Sequence, residues 1–262
     1  MSKMFYDCSS LKNIIFFNFN TKNVISMNNM FEKCISLEKI DFSGFIAHKV
    51  SSMSCMFCQC YSLKNIDFSN FNFRNVVDTS FMFYGCLSLK EINLFNFKTQ
   101  NITFMNSMFS QCVSLKKINF FGVNTRNVTN MSYMFSNCSS LEEIDISTFD
   151  IDKVVNMRYM FGECKSLKEI NLSNFIIRNV NDMSYMFYEC LSLKKIIFPN
   201  IETNNIINLE KILYGCKLRD IIFNKFSINN INIFQLLLSQ SLSLEEIKIY
   251  GNGIRKNNLD IK

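Results

Sequence analysis

Residues 128–141 read Val-Thr-Asn-Met-Ser-Tyr-Met-Phe-Ser-Asn-Cys-Ser-Ser-Leu, and variants of this stretch recur along the chain at an interval of 26 residues. Its Met-Phe pair stands at Met4-Phe5, Met30-Phe31, Met56-Phe57, Met82-Phe83, Met108-Phe109, Met134-Phe135, Met160-Phe161 and Met186-Phe187. Its cysteine stands at Cys8, Cys34, Cys60, Cys86, Cys112, Cys138, Cys164, Cys190 and Cys216. Self-similarity at a fixed period of this length is typical of solenoid proteins.

The spacing of apolar residues changes within each unit. Ile144 and Ile146 are two residues apart, which predicts a short strand over residues 141–146. Val128, Met131 and Met134 are three apart, the spacing of one helical face, so a short helix is expected over residues 131–138. Helix N-cap residue types precede this segment, at Ser26, Ser52, Asp78, Asn130, Asn156, Asp182 and Asn208.

Units this short must stack on their neighbours to bury a core. We therefore expect an α/β fold: a leucine-rich-repeat-like solenoid of about ten strand-turn-helix coils, with one parallel sheet of short strands about 4.8 Å apart. Helices wider than strands favour curvature. Residues 1–250 form the single repeat solenoid, and residues 251–262 form a polar C-terminal tail.

An asparagine precedes the Val slot in most units, and its side chain is expected to satisfy backbone groups of the turns. These asparagines are Asn23, Asn75, Asn101, Asn127, Asn179, Asn205 and Asn230. Lys49 and Lys153 take the same slot and are expected to break the ladder.

The unit as a whole, Leu-Glu-Glu-Ile-Asp-Ile-Ser-Thr-Phe at 141–149 together with the stretch at 128–141, resembles the 26-residue repeat of BspA-like leucine-rich repeat surface proteins. The resemblance covers nearly the whole chain. Members occur in host-associated bacteria, mycoplasmas and protists, often as surface or lipid-anchored proteins, and are regarded as adhesion molecules. The resemblance implies a cell-surface location and a protein partner, from the host or a second copy. This chain departs from the family in lacking a lipid-attachment cysteine at its start and in having Phe, as at Phe149, where Trp is common.

Charge and hydropathy limit the function classes. The net charge of +6 comes from 28 basic and 22 acidic residues that are mixed along the chain, which favours solubility. The first 19 residues already read as repeat sequence, so they predict no signal peptide. Apolar runs fall short of the roughly 20 residues of a membrane span. The location therefore remains open between the cell surface, the cytoplasm and a fragment of a longer protein.

Nine of the 11 cysteines share one core-facing position, where a free thiol acts as a small buried hydrophobe. On a helical side, neighbouring coils would lie about 8 to 10 Å apart, beyond the reach of a disulfide, so we expect no disulfide ladder. Cys55 and Cys58, with Cys60 and His48, raise the alternative of a zinc site. The expectation is no metal and no cofactor, since Cys60 belongs to the buried ladder.

Catalysis is not expected either. An active site needs converging acid, base or nucleophilic groups. The chain has one histidine and no Gly-rich phosphate loop, and carboxylates such as Asp41, Asp67 and Asp145 occupy one repeated strand slot. A charge repeated at the unit period is typical of a solvated face, so the sequence indicates that the protein is not an enzyme.

Single-stranded nucleic acid is an alternative ligand. Basic residues interleaved with aromatic ones can contact a single strand one repeat at a time. Tyr133, Tyr159 and Tyr185 share one helical slot, and one turn slot holds Lys22, Arg74, Arg126 and Arg178. Asp152 in that same turn slot, and the near balance of acidic and basic residues, make nucleic acid unlikely.

One pair of aromatic residues marks the candidate binding site. The outward strand slot that holds Ser147 and Ser173 is filled by Phe95 and Phe121 in two adjacent coils. Parallel stacking predicts that the two rings lie side by side, as an apolar spot in a polar rim. The rim consists of Asn93, Asn119, Glu91 and Lys117. Aromatic anchors of this kind are enriched at interface hot spots. The alternative is that each ring folds back over Phe97 or Val123.

The sequence thus predicts a non-catalytic protein-interaction scaffold, of surface or adhesion type by resemblance, with an intracellular scaffold as the alternative. A further expectation concerns the first coil, which begins in mid-unit at Met4 and Phe5 without a polar capping repeat. This end is expected to expose apolar surface and to support self-association.

Overall fold

The computed structural model describes residues 1–16, 20–42, 48–68, 73–95, 97, 99–201, 208–223, 231–241 and 243–250. The sequence-predicted tail at residues 251–262 lies outside this described part of the chain. The protein is a parallel β-solenoid of about eight turns. Parallel bridges connect one equivalent residue of each turn to the next, from Ser26 through to Asn208. The prediction of a repeat solenoid is confirmed, and the count of ten coils was too high.

All strands are short and pair in parallel. The strands are β1 (Asn13–Ile15), β2 (Lys39–Asp41), β3 (Glu91–Asn93), β4 (Lys117–Asn119), β5 (Glu169–Asn171), β6 (Ile176–Ile177), β7 (Lys195–Phe198), β8 (Asn200–Ile201), β9 (Asp220–Phe223) and β10 (Glu246–Ile249). They form a four-stranded sheet in the order β10-β9-β7-β5 and the pairs β1-β2, β3-β4 and β6-β8. Equivalent residues of successive units are in register, as Ile92 is with Ile118, so one face of these strands carries the same slots side by side.

Within the described residues, the helix predicted in every unit forms only in the last unit, as α1 (Ile231–Ser239), and the Met-Phe stretches of the earlier coils are not helical. Over the Met-Phe stretch, alternate N–H groups donate to the next coil, as Tyr133 does to the Arg158 carbonyl and Phe135 to the Met160 carbonyl, both at 2.9 Å. The intervening groups bond back three residues, as Cys138 does to Phe135 at 3.0 Å. Tyr133 has φ 59°, a left-handed conformation that interrupts a right-handed helix. The segment is therefore a series of turns hydrogen-bonded between coils, and the strand-turn-helix prediction was wrong.

The described helix is α1 (Ile231–Ser239), which follows the last turn of the bridge ladder. Leu237 of this helix is fully buried. After it, the Gln240 side chain accepts a hydrogen bond from the Leu213 N–H at 3.3 Å and donates to the Leu209 carbonyl at 3.4 Å. In the preceding coil the equivalent donor, the Phe187 N–H, bonds to the Ile212 backbone carbonyl of the next coil, so the Gln240 side chain replaces that carbonyl at the end of the turn ladder. Among the described residues, no helix has the length and apolar character that crossing a bilayer requires.

Stacked phenylalanines run through the core. The Phe of each Met-Phe pair lies on the Phe of the next coil, with ring centroids 5.3–5.9 Å apart. The methionines on both sides of this column and the Leu that begins each strand segment are fully buried in the inner coils, for example Met134, Met131 and Leu141. The apolar slots identified from the sequence therefore do form the core.

The residue types identified as helix N-caps cap turns instead. The Asn130 carboxamide oxygen accepts a hydrogen bond from the Ser132 N–H at 2.9 Å, and Asp182 accepts one from Ser184 at 2.9 Å. Asn and Asp side chains make this bond in turns as readily as at helix starts. The local hydrogen-bond chemistry was therefore predicted correctly and the element was not.

The asparagine ladder is confirmed at Asn75, Asn101, Asn127 and Asn179, whereas Asn205 and Asn230 lie outside the described residues. The Asn127 side-chain N–H donates to the Gln100 carbonyl, 27 residues earlier, at 2.7 Å, and Asn101 makes the equivalent bond to Arg74 at 2.9 Å. The two lysines do not simply break this ladder. The Lys153 ammonium donates to the Asn127 oxygen at 2.7 Å, in the same way that Lys49 donates to Asn23 at 3.0 Å.

The repeated cysteines form a ladder of thiol hydrogen bonds. The Cys138 thiol donates to the Phe109 carbonyl at 3.2 Å, and the same bond recurs from Cys34 to Cys216. All 11 cysteines are free thiols. The sequence argument that the cysteines of neighbouring coils lie about 8 to 10 Å apart was wrong, however. The coils are directly hydrogen-bonded on the cysteine side too, and such coils are about 4.8 Å apart. The expected source of curvature, a layer of wide helices, is likewise absent from the described residues.

The first coil is more exposed than the coils behind it. Met4 is exposed, whereas Met30 in the same slot of the next coil is fully buried. Phe5 is partly exposed, although its ring stacks on Phe31 at 5.3 Å. This exposure agrees with the expected apolar surface. Self-association through it stays a prediction.

Candidate interaction surface

Phe95 and Phe121 lie side by side in the turns that follow strands β3 and β4, because each strand ends two residues before its Phe. Their ring centroids are 5.7 Å apart and their planes differ by 14°. The side chains are 49% and 67% exposed, whereas Phe97 and Val123 are buried. The rings therefore stack on each other in solvent, and the alternative that they cover the core does not describe this structure.

Asparagine side chains hold the backbone at the base of the two rings. The Asn93 oxygen accepts a hydrogen bond from the Phe95 N–H at 3.0 Å, and the Asn119 oxygen accepts one from the Phe121 N–H at 2.9 Å. The Asn119 amide also donates to the Asn93 oxygen at 3.1 Å. The two turns are thereby tied to each other, so the aromatic pair is presented on a rigid support.

Glu91 and Lys117 complete the predicted rim. The two residues face each other in the β3-β4 register, and both are exposed. All six residues proposed from the sequence are thus brought together by pairing of adjacent coils. We call this set, Phe95 and Phe121 with Asn93, Asn119, Glu91 and Lys117, the aromatic patch.

A groove that sequence reasoning missed adjoins the aromatic patch. It has a volume of about 1550 Å³, and Lys117 lines it as well as the patch. Most of its other lining side chains are charged: Lys116 comes from the same coil as Lys117, and Glu142 and Glu143 come from the next coil. Ion pairs cross between coils within it, as between Lys168 and Glu142. The sequence contained one signal of this groove, the alternation of Lys and Glu at equivalent positions of successive coils. That these side chains share one concave surface follows only from the stacking of the coils.

A second aromatic column is formed by the repeated tyrosines, which the sequence placed on a helix and which suggested nucleic-acid binding. Tyr133 stacks on Tyr159 with ring centroids at 5.2 Å, and Tyr159 on Tyr185 at 6.0 Å. Tyr188 and Tyr214, which the sequence analysis did not single out, extend the column. The tyrosine slot was therefore identified correctly, on turns and not on a helix.

The charges around this column are mixed. The Arg158 guanidinium lies 4.6 Å above the Tyr185 ring. The Tyr159 and Tyr185 hydroxyls donate to Glu163 at 2.9 Å and to Glu210 at 2.6 Å. Burial, followed by the bond to Glu163, raises the pKa of Tyr159. Carboxylates at the rim of the rings disfavour a phosphate backbone.

The family was identified by comparison with known proteins. A family model described as "Mycoplasma protein of unknown function, DUF285" matches residues 1–94 and 103–226, most of the chain. The chain belongs to this family. A comparison with curated proteins finds no match. Phe121 lies inside the DUF285 match, and Phe95 is the first residue of the short unmatched stretch between its two parts.

The residues considered for zinc do not converge in this DUF285 protein. Cys60 is buried and its thiol donates to the Phe31 carbonyl at 3.1 Å. His48 is exposed on a turn. In the part of the chain that the structure describes, no three side chains of His, Cys, Asp or Glu are grouped as metal ligands. Cys55 and Cys58 remain as a pair.

Proposed function

We propose that this protein is a non-catalytic scaffold that binds a protein partner on the outer face of its strands, through the aromatic patch. The observation that carries the proposal is the stacked, exposed pair Phe95–Phe121. Exposed aromatic rings on a rigid support lose little conformational entropy when a partner covers them, which is why such residues dominate binding energy.

The groove next to the patch supports a folded protein as the partner. Its charges are of both signs and partly paired across coils. A complementary surface would present an apolar group to the rings and a mixed set of charges to the groove, and rim charges of this kind steer orientation more than they add affinity. This chemistry fits a folded protein surface.

The resemblance to BspA-like repeat proteins supports adhesion to a host or neighbouring cell as the setting. An intracellular scaffold is the alternative, and the two use the same surface. They are separated by testing whether purified protein binds intact cells, and whether a protease added to intact source cells degrades it. Single-stranded nucleic acid is the least favoured ligand, and a salt-dependent gel shift with labelled RNA would bring it back.

The docking site is tested with matched pairs of substitutions. A photo-crosslinking amino acid at position 95 captures the partner, and the same amino acid at the exposed position 155 serves as the control. The captured partner is then purified, and its affinity is measured by calorimetry for the wild type and for Phe95→Ser/Phe121→Ser. Serine is native in this slot at Ser147 and Ser173, so the fold is expected to persist.

We expect the double substitution to weaken binding by about 30-fold or more, since hot-spot truncation costs about 2 kcal/mol or more. The control pair is Val77→Ser/Val155→Ser, because both valines are similarly exposed, at 38% and 39%, and Ser51 occupies their slot in another coil. Equal affinity of wild type and Phe variant, or an equal loss in the Val control, would show that the partner docks elsewhere.

A further inference from the structure

Cys55 and Cys58 occupy a place in the repeat where no other described coil has cysteine. The slot of Cys55 holds Ser107 in one coil and tyrosine in three others, and the slot of Cys58 holds Ser110 and Ser136. The two residues therefore lie outside the ladder of repeated cysteines, although the Cys58 side chain is itself buried. They lie on the turns, apart from the aromatic patch.

The backbone holds this pair in a tight turn. The Cys58 N–H donates to the Cys55 carbonyl at 3.1 Å, and Cys55 has φ 57°. Both ends are also bonded to neighbouring coils: the Cys55 N–H donates to Ser80 O at 2.9 Å, and the Cys58 carbonyl accepts from the Lys33 N–H at 2.8 Å. The first and fourth Cα atoms of such a turn are less than about 7 Å apart, close to the span of a disulfide.

The two side chains are neighbours. The Cys55 sulfur lies 3.7 Å from the Ser54 hydroxyl, and Cys58 is the group with the largest effect on the pKa of Cys55, which places the two sulfurs close together. Cys55 is partly exposed, while Cys58 is 8% exposed. One sulfur is thus open to a reagent and the other is positioned behind it.

The interaction with the Cys58 thiol, together with the Ser54 hydroxyl, lowers the pKa of Cys55 to about 7. Burial and the negative charges of Glu32 and Asp78 on the adjacent coils act in the opposite direction. In the ladder, burial raises the pKa of Cys112 to about 12. Near neutral pH, Cys55 is therefore the more readily ionised and more reactive of the two thiols.

We propose that Cys55 and Cys58 form a redox-active dithiol that exchanges with low-molecular-weight disulfides, with Cys55 as the attacking residue and Cys58 as the resolving residue. The Cys55 thiolate attacks a disulfide RSSR, which forms a mixed disulfide and releases one thiolate RS⁻. The Cys58 sulfur then displaces the second RS group, so that a Cys55–Cys58 disulfide forms. In total the dithiol loses two electrons and two protons, and RSSR becomes two RSH.

The test uses the full chain and oxidised glutathione at pH 7. Free thiols are then blocked with iodoacetamide and the protein is digested and weighed by mass spectrometry. We expect the wild type to form the Cys55–Cys58 disulfide while Cys112 is alkylated only after unfolding. Cys58→Ser should accumulate glutathione on Cys55, and Cys55→Ser should acquire neither modification. Serine occurs naturally in both slots, so circular dichroism should show an unchanged fold.

Three results would each overturn the proposal. The first is that Cys55 reacts no faster than Cys112 in the folded protein. The second is that the Cys58→Ser variant carries no mixed disulfide, and the third is that the wild type retains glutathione on Cys55 without closing the disulfide. Because the readout is chemical, it is independent of whether a partner binds the aromatic patch.

Discussion

Replacement of Phe135 by alanine tests the phenylalanine column, which we regard as the main source of cohesion between coils. Phe135 is fully buried; its ring stacks at 5.9 Å on Phe109 and at 5.3 Å on Phe161, and it meets Phe120 edge-on at 5.8 Å. Truncation of a buried Phe to Ala costs about 3–5 kcal/mol, through lost burial and the cavity that remains. We expect the upper part of this range, because hydrogen-bonded coils on both sides prevent collapse into the space.

Phe121→Ala is the matched control. The same atoms are removed about half a coil earlier in the chain, but this side chain is 67% exposed and its one described ring neighbour is Phe95. Surface substitutions of this kind change stability by about 0.5 kcal/mol or less. The two variants should therefore differ by about 2.5 kcal/mol or more, even though they change composition identically.

The assay is urea unfolding followed by far-ultraviolet circular dichroism, combined with hydrogen exchange. Because each repeat contacts only its neighbours, exchange should accelerate first at the Phe109 and Phe135 amides, which bond to the coils that follow them. A loss below about 1 kcal/mol for Phe135→Ala, or similar losses for both variants, would refute the assignment of the column as the core.

Two further predictions concern the thiol and asparagine ladders. Burial raises the pKa of Cys112 to about 12, above its value near 8.5 in an unfolded chain. The stability that comes from burying the neutral thiol is therefore complete below about pH 8.5 and is lost as the pH rises towards 12. Each such thiol should lower the unfolding free energy by about 1.4 kcal/mol per pH unit in that window; urea midpoints of reduced protein between pH 7 and 10 test this, and Cys112→Ala should make the slope shallower. Asn127→Ala should lower the free energy of unfolding by about 1 kcal/mol, because the Gln100 carbonyl loses its donor. Lys153→Ala should lower it by less than about 0.5 kcal/mol. Equal effects of the two variants in thermal melts would show that the asparagine bonds do not stabilise the turns.

The candidate site was predictable to the extent that it depends on register. A 26-residue period places Phe95 beside Phe121 and Glu91 opposite Lys117 in any parallel stack, and the structure has that arrangement. The groove was not predictable, because its residues come from several coils and its concavity is a property of their stacking. The Cys55–Cys58 pair was visible in the sequence, where it raised the alternative of a zinc site although no metal was expected.

The repeat, the parallel stacking, the core slots and the polar side chains that close the turns could all be inferred from the amino-acid sequence. They follow from period and residue type, which are local properties. The conformation of the Met-Phe segment depends instead on contacts between coils. Steps of three and four residues fit both a helical face and a series of tight turns, and what separates them is where the N–H groups bond. In this chain a neighbouring coil supplies the carbonyl groups, as Met160 does for Phe135, and left-handed residues such as Tyr133 turn alternate donors toward it. A helix would have satisfied the same donors within one unit, so the choice belongs to the stack of coils and not to any single repeat.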